Sequence, residues 1–329
     1  MLIKPFKFVF AIIIIALNFC ACNKTETTSV DTPVDTIVDT TYTLYGSQLL
    51  NLAQPKQVIS ANAFHSFGVG STDMNAWNID IAREFICNVK EEPLTNTAIK
   101  DSNGTYLHGL QRIVDSNRLN KRITILCAFG WDGKTNSTGL RPTQQTFYAA
   151  FKTKLAQWAV QFKNQPDVWI EVWNEPYRYD RADGYTDNIW LSDMNDLVSV
   201  ARNAGNTNML LVPCAEQGQD ESVLINKGAT FLSGKKNILF DVHAYEKWLL
   251  PGNADIGTRL GNLKKNNIPV IFGEVAPMNA GVLMDPKPFL DSVYNRGLYV
   301  CAWAWKNDAT DKDVLVTSSG APNNNNNNN

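Results

Sequence analysis

The 329-residue chain has no excess of charge of either sign: 30 Lys and Arg against 32 Asp and Glu leave a formal charge of -2. That balance, with no run of basic residues, removes the broad electrostatic footprint that nucleic-acid binding requires. Cysteines are few, six in all. Beyond the N-terminus Cys87, Cys127, Cys214 and Cys301 lack the paired C-x-x-C spacing of a metal site. Each falls in an apolar segment read below as a strand, so they count as small core residues; an exported location would permit disulfides without assigning a pair. The apolar run at residues 8–17 is too short to span a bilayer comfortably. No glycine fingerprint for dinucleotides follows the first strand. What remains is a length suited to one large domain with a full core, or to two small ones.

The N-terminal segment reads as a targeting signal and is set aside from fold reasoning. Lys4 and Lys7 form a basic start, the apolar run follows, and Asn18-Phe19-Cys20-Ala21-Cys22 resembles a bacterial lipoprotein signal, in which the cysteine after a small residue is lipidated. Cys22, behind Ala21, fits better than Cys20 behind bulky Phe19; an ordinary secretory signal is the alternative. The expectation is an exported lipoprotein at the outer membrane, cell surface or periplasm, touching the membrane only through its anchor. Residues 23–42, rich in Thr, Asp, Val and Ser, read as a flexible linker. Residues 43–322 read as one catalytic domain, expected to be a monomer, and residues 323–329, all asparagine, as a disordered tail.

Short apolar runs recur at residues 57–63, 81–89, 122–128, 168–173, 209–214, 238–243, 269–272 and 298–303. Most are continuous and β-branched rather than alternating, the pattern of parallel strands covered on both faces. Helical spacing is clear at 143–162 and 191–204 and shorter at 256–265 and 288–295. Eight such units in one domain predict a (β/α)₈ barrel rather than an open sheet. Little chain remains after the eighth strand for a final helix. Nine Trp and ten Tyr suit sugar recognition, although a large barrel also buries many aromatics.

In such a barrel, chemistry sits at the C-terminal ends of strands. The fourth strand ends Trp173-Asn174-Glu175-Pro176-Tyr177 and the seventh Phe272-Gly273-Glu274. Two carboxylates facing each other across a barrel mouth are what retaining glycoside hydrolysis needs, at about 5–5.5 Å, one protonated to assist the leaving oxygen and one ionised to attack. A surface salt bridge is the bland reading of either glutamate alone.

Val172-Trp173-Asn174-Glu175-Pro176 resembles the signature of glycoside hydrolase family 5, the large cellulase and mannanase family of clan A. Further stretches match in order: Trp77-Asn78-Ile79-Asp80-Ile81-Ala82-Arg83, Asp241-Val242-His243-Ala244-Tyr245, Ile268 to Glu274, and Ala302-Trp303-Ala304-Trp305-Lys306. The resemblance implies Glu175 as acid/base and Glu274 as nucleophile. It implies Asn174 on the sugar 2-hydroxyl, Arg83 and Tyr245 as donors to the nucleophile, His243 in the same subsite and Trp303 as a stacking floor. Trp131 and Tyr177 are expected to add substrate-binding surface, with Tyr179, Tyr185 and Trp248 as further aromatics. Arg83, His243 and Trp303 also have structural readings, as a strand-end ion pair, a satisfied core histidine and packing.

There are departures. Where the family often carries His after the third strand, this chain reads Ala128-Phe129-Gly130-Trp131-Asp132. His65 is not placed, His108 reads as structural, and Glu216 and Gln217 are candidates for a subsite. Asp241 and His243 alternate along a strand, but no third ligand is placed near them, so neither a metal nor any other cofactor is expected. The substrate implied is a plant-type β-1,4-polysaccharide, with an endo-β-1,4-mannanase ahead of an endo-β-1,4-glucanase. A catalytically dead surface glycan-binding protein and a metal-dependent barrel hydrolase are the readings from other classes.

Overall fold

The computed structural model describes residues 41–53, 58–67, 72–94, 99–100, 106–107, 109–253, 255–306, 314–317 and 319–323. The expected signal segment with Cys22, nearly all of the expected linker, His108 and residues 324–329 lie outside them.

Eight parallel strands close into a barrel. They are β1 (Ser60–Ala63), β2 (Ile81–Phe85), β3 (Ile123–Cys127), β4 (Val168–Glu171), β5 (Leu210–Pro213), β6 (Ile238–Ala244), β7 (Val270–Val275) and β8 (Val300–Ala302). Each coincides with one of the eight apolar runs, because strands buried on both faces need apolar residues at nearly every position. Almost every strand residue is buried.

Six helices alternate with the strands from β2 onward: α1 (Leu110–Leu119), α2 (Tyr148–Phe162), α3 (Asp187–Asn203), α4 (Ser222–Leu232), α5 (Ile256–Lys265) and α6 (Lys287–Tyr294). α2 starts five residues later than its apolar spacing suggests, because Pro142–Gln144 forms a separate 3₁₀ turn and Phe147 becomes the N-cap. The periodic pattern left α1 and α4 unassigned. Each buries one face: Leu110, Ile113 and Val114 in α1, Val223, Leu224 and Phe231 in α4. In the β1–β2 connection, short 3₁₀ turns at His65–Phe67 and Thr72–Trp77 stand among the described residues in place of an α-helix.

Two apolar layers hold the barrel. One lies inside, where Ile81, Ile125, Trp169, Leu211, Leu239 and Ile271 meet. An antiparallel hairpin, Tyr42–Tyr45 with Gln48–Asn51, packs on this layer through Leu49 and Tyr42. Tyr42 meets Trp169 edge to face at 5.5 Å. Tyr42 therefore belongs to the folded unit and not to the linker assigned to residues 23–42. The other layer lies between strands and helices and includes Phe162, Trp190, Phe231, Phe240, Phe272 and Phe289.

After β8 no helix follows among the described residues. The chain instead lies back on the strand ends: Val316 N donates to Trp305 O at 3.1 Å and Leu315 N to Ala304 O at 2.8 Å. Asn323, assigned to the tail, donates its backbone N–H to Leu315 O at 2.9 Å. Among the described residues Cys87, Cys127, Cys214 and Cys301 are all buried and form no disulfide.

One buried acid has no polar partner among the described residues. Glu92, after β2, is fully buried and neither carboxyl oxygen has a hydrogen-bond partner. Burial pushes its pKa up from 4.5 to about 9, with only Lys154 pulling it back. The folded state therefore holds a proton that the unfolded chain releases near 4.5, so this residue costs stability progressively between pH 4.5 and 9. Glu92→Gln should match the wild type in urea unfolding free energy near pH 4.5 and exceed it at pH 8, by about 4–5 kcal/mol. A pH-independent difference between the two would contradict the assignment.

Candidate active site

The C-terminal end of the barrel is organised by one buried guanidinium. Arg83 projects inward from β2 and is fully buried. Its Nε and Nη2 donate to the two carboxylate oxygens of Glu171 on β4, at 2.7 and 2.8 Å. This bidentate pair fixes the plane of the fork. Nη1 then donates to Asn62 Oδ1 on β1 at 2.9 Å and to Glu274 Oε1 on β7 at 2.8 Å. Nη2 also donates to Asn174 Oδ1 at 2.7 Å. Asn62 carries the link onward, donating to the backbone of Gly273 at 2.9 Å and of Ala302 at 3.2 Å. Strands from around the whole barrel thus converge on one cation.

β6 presents Asp241 and His243 to the same interior, as residues two apart on a strand must, and Tyr245 follows directly after the strand. A register shift between Val242 and His243 sets His243 opposite Glu274 on β7. Gly273 makes this possible. A Cβ there would lie 2.2 Å from Asp241 Oδ1, the oxygen that accepts the Gly273 N–H at 2.7 Å. A side chain at that point would displace the Asp241 carboxylate.

Glu175 and Glu274 face each other over His243. Its Nδ1 is 2.8 Å from Glu175 Oε1 and 3.5 Å from Glu274 Oε1, and its Nε2 is 3.1 Å from Asp241 Oδ2. A carboxylate oxygen of Glu175 lies within 4.8 Å of one of Glu274. Tyr245 donates its hydroxyl to Glu274 Oε2 at 2.7 Å. Thr138, in the loop after β3, donates to Glu175 Oε2 at 2.8 Å. The backbone of Glu175 is left-handed, φ +46°, and is held there by Gly139 N donating to its carbonyl at 2.7 Å. Strain of this kind persists only where the surroundings impose it.

Electrostatics follow from the burial. Burial alone would lower the His243 pKa, but Glu274 and Asp241, with hydrogen bonds to Asp241 and Glu175, raise it well above its ordinary range. The surrounding carboxylates therefore favour the protonated imidazole. Burial raises Glu274, with Glu175 adding to the effect, while His243, Arg83 and Tyr245 pull it back. Burial also pushes Glu171 up to about 7 against the attraction of Arg83. Two clusters have donor sets that resemble metal ligands, Glu171–Asp241–His243 and Glu175–His243–Glu274. In both, the carboxylate lone pairs already face Arg83 or the His243 ring. Glu171 is thus a third donor beside Asp241 and His243, which the sequence reading did not place.

Glu175, Glu274, Arg83, Asn174, His243 and Tyr245 are all brought together. Trp303 is half-buried at the same mouth, against Phe85 at 4.9 Å and Phe64 at 5.5 Å. Trp131 is half-buried and stacks on Phe147 at 5.1 Å, with 8° between the planes. Tyr177 does not reach the cleft and is corrected here: at φ +65° the chain turns its ring into the core, where it stacks on Tyr185 at 4.6 Å and donates to Asp193 on α3 at 3.0 Å. Tyr185 and Trp248 are buried too, whereas Tyr179 is half-buried at the rim.

His65 pairs with buried Glu84 at 2.7 Å, and Asn117 of α1 donates to the same oxygen at 2.8 Å. This ties β2 to the helix layer, away from Arg83. Glu216 is buried, accepts from Tyr185 at 3.3 Å and is ion-paired with Lys247. Its loop has three successive left-handed residues, Glu216, Gln217 and Gly218. Gly218 is pressed so close to His243 that a Cβ would lie 2.7 Å from the ring.

Reading strand ends alone passes over Asn62, Thr138 and Glu171. Glu171 had a signal, a carboxylate inside the apolar run at 168–173. Thr138 had none, since only the loop conformation brings it to Glu175. Removing Glu171 strips the buried guanidinium of its bidentate partner, so Glu171→Ala should lower stability by about 3 kcal/mol or more. Denaturant unfolding checks this; a change below about 1 kcal/mol would mean that the pair is not what holds Arg83.

The family model for Cellulase (glycosyl hydrolase family 5) matches residues 73–309. A mannan endo-1,4-beta-mannosidase from Cellvibrio japonicus (strain Ueda107) is 23% identical over 270 residues, covering 79% of this chain and 60% of that protein. The chain thus spans about 60% of the length of that relative. A mannan endo-1,4-beta-mannosidase from Salipaludibacillus agaradhaerens is 21% identical over 251 residues, 73% of this chain and 76% of its own. Among solved structures, the β-mannanase from Streptomyces thermolilacinus with mannohexaose has TM-score 0.63 at 19% identity, over 84% of this chain and 87% of that one. The catalytic domain of the Thermobifida fusca endoglucanase Cel5A has TM-score 0.59 at 16% identity, over 86% and 91%.

Proposed function

The chain belongs to glycosyl hydrolase family 5, and we propose that within it this protein is a retaining endo-β-1,4-mannanase working by double displacement. The observation that carries the mechanism is the Glu175–Glu274 approach within 4.8 Å. Inverting enzymes hold their carboxyl groups roughly 6.5–9.5 Å apart to admit a water, whereas retaining ones hold them at about 5–5.5 Å.

In the first step Glu274 Oε attacks the anomeric carbon. The glycosidic C–O bond breaks, and its oxygen takes the proton from Glu175. Arg83, Tyr245 and His243 surround Glu274 with donors, which favours the ionised nucleophile despite its burial. His243 Nδ1 lies against one carboxylate oxygen of Glu175 and Thr138 donates to the other, which fixes the orientation of the acid. In the second step Glu175, now a carboxylate, takes a proton from water. The water oxygen bonds to the anomeric carbon and Glu274 departs. Trp303 is the flat apolar surface beside the reacting sugar.

The substrate assignment rests on likeness: both protein relatives are mannan endo-1,4-beta-mannosidases, and one structural neighbour was solved with mannohexaose. The endoglucanase neighbour supports β-1,4-glucan as the second reading. A lipid anchor at Cys22 and export as a lipoprotein complete the proposal, on the strength of the N-terminal sequence alone.

The test is kinetic. Wild type should release oligosaccharides from mannan faster than from cellulose derivatives or xylan. Glu175→Ala should lose roughly 10²–10⁴-fold in kcat on mannan, where the leaving oxygen needs a proton. The same variant should lose far less on an aryl glycoside with an acidic leaving group. Equal losses on both substrates would remove Glu175 as the acid, and binding without cleavage across the panel would identify a glycan-binding protein instead.

A further inference from the structure

The Asn174 side chain is almost fully buried, at 1% exposure, yet only half of its amide is used. Oδ1 faces two donors, Arg83 Nη2 at 2.7 Å and Cys127 Sγ at 3.4 Å. Nδ2 is buried without a partner. Because a guanidinium can only donate, the oxygen must face Arg83 and the NH₂ must face away from it. A buried N–H left open costs about 1–3 kcal/mol, and this one stands next in the chain to Glu175. Such a donor is kept for something that arrives.

Cys127 ends β3, paired in register with Phe85 on one side and Glu171 on the other. It belongs to a small cluster with Phe64, Phe85 and Ala304, against which Phe129 and Trp303 pack. The thiol thus stands between the aromatic floor and Asn174. Burial raises its pKa well above the ordinary thiol value, against the pull of Arg83, so it keeps the proton it donates.

We propose that Cys127 is a positioning residue: its S–H and the Arg83 guanidinium together pin Asn174 Oδ1, so that Nδ2 is aimed at the hydroxyl beside the anomeric carbon of the sugar being cleaved. This rests on the hydrolase reading above and adds a residue to it. Without the thiol, Oδ1 keeps only Arg83, on one side, and the amide is free to swing about that contact. Serine at 127 keeps a donor of similar size, whereas alanine keeps none.

The experiment compares wild type, Cys127→Ala and Cys127→Ser on an aryl β-mannobioside and on its analogue lacking the 2-hydroxyl of the sugar at the cleavage point. Cys127→Ala should lower kcat on the hydroxylated substrate by about tenfold with little change in KM, because the contact tightens in the transition state. On the deoxy analogue its kcat should lie within about twofold of wild type, and Cys127→Ser should recover most of the loss on the hydroxylated one. An equal loss on both substrates, or no loss on either, overturns the proposal. The wild-type rate on the hydroxylated substrate reads the hydrolase assignment separately, since the Cys127 test uses only ratios to it. A thermal midpoint for Cys127→Ala close to wild type confirms that the folded variant is being assayed.

Discussion

The site depends on placing one permanent cation, the Arg83 guanidinium, where no water reaches it. A buried charge is tolerated only when its partners are in place, and here they come from β1, β4 and β7 and from the loop after β4. Glu171 takes the Nε edge of the fork, which leaves Nη1 for Glu274 and the outer side of Nη2 for Asn174. The orientation of the nucleophile and of the sugar-facing amide are therefore not independent. Both are set by the plane that Glu171 imposes on Arg83.

Around this centre the barrel supplies rigidity and the loops supply exceptions. The strands bring Arg83, Glu171, Asp241, His243 and Glu274 inward by simple alternation. Several departures from regular geometry then finish the constellation: the register shift at His243, the glycine at 273 that admits Asp241, the left-handed backbone of Glu175 and the glycine at 218 that lets the loop after β5 close on the His243 ring. Arg83 and His243 are ringed by the carboxylates of Glu171, Asp241, Glu175 and Glu274.

The barrel was legible because continuous apolar runs leave few other architectures, and all eight runs became strands. Glu175 was legible from Asn-Glu-Pro, and Glu274 from its strand end. Tyr177 was misplaced because adjacency to Glu175 in sequence says nothing about a residue whose φ is +65°. The hairpin from Tyr42 escaped notice because it is only four residues a side and gains its stability by packing under the barrel, a contact far apart in sequence. The same holds for Thr138 and Asn62, whose roles exist only once loops and strands have met. The aromatic count was a weak guide: Trp158, Trp173, Trp190, Trp248 and Trp305 went to the core and Trp303 to the mouth.

The central claim is that Glu175 and Glu274 act as a close pair, one as acid/base and the other as nucleophile. Its most direct test is the anomeric configuration of product at the moment of release, followed by proton NMR on wild-type enzyme with a β-mannooligosaccharide before mutarotation sets in. The β-anomer should accumulate first and decay to the equilibrium mixture. First appearance of the α-anomer would mean direct attack by water, and would contradict the double displacement that the spacing of the two carboxylates supports.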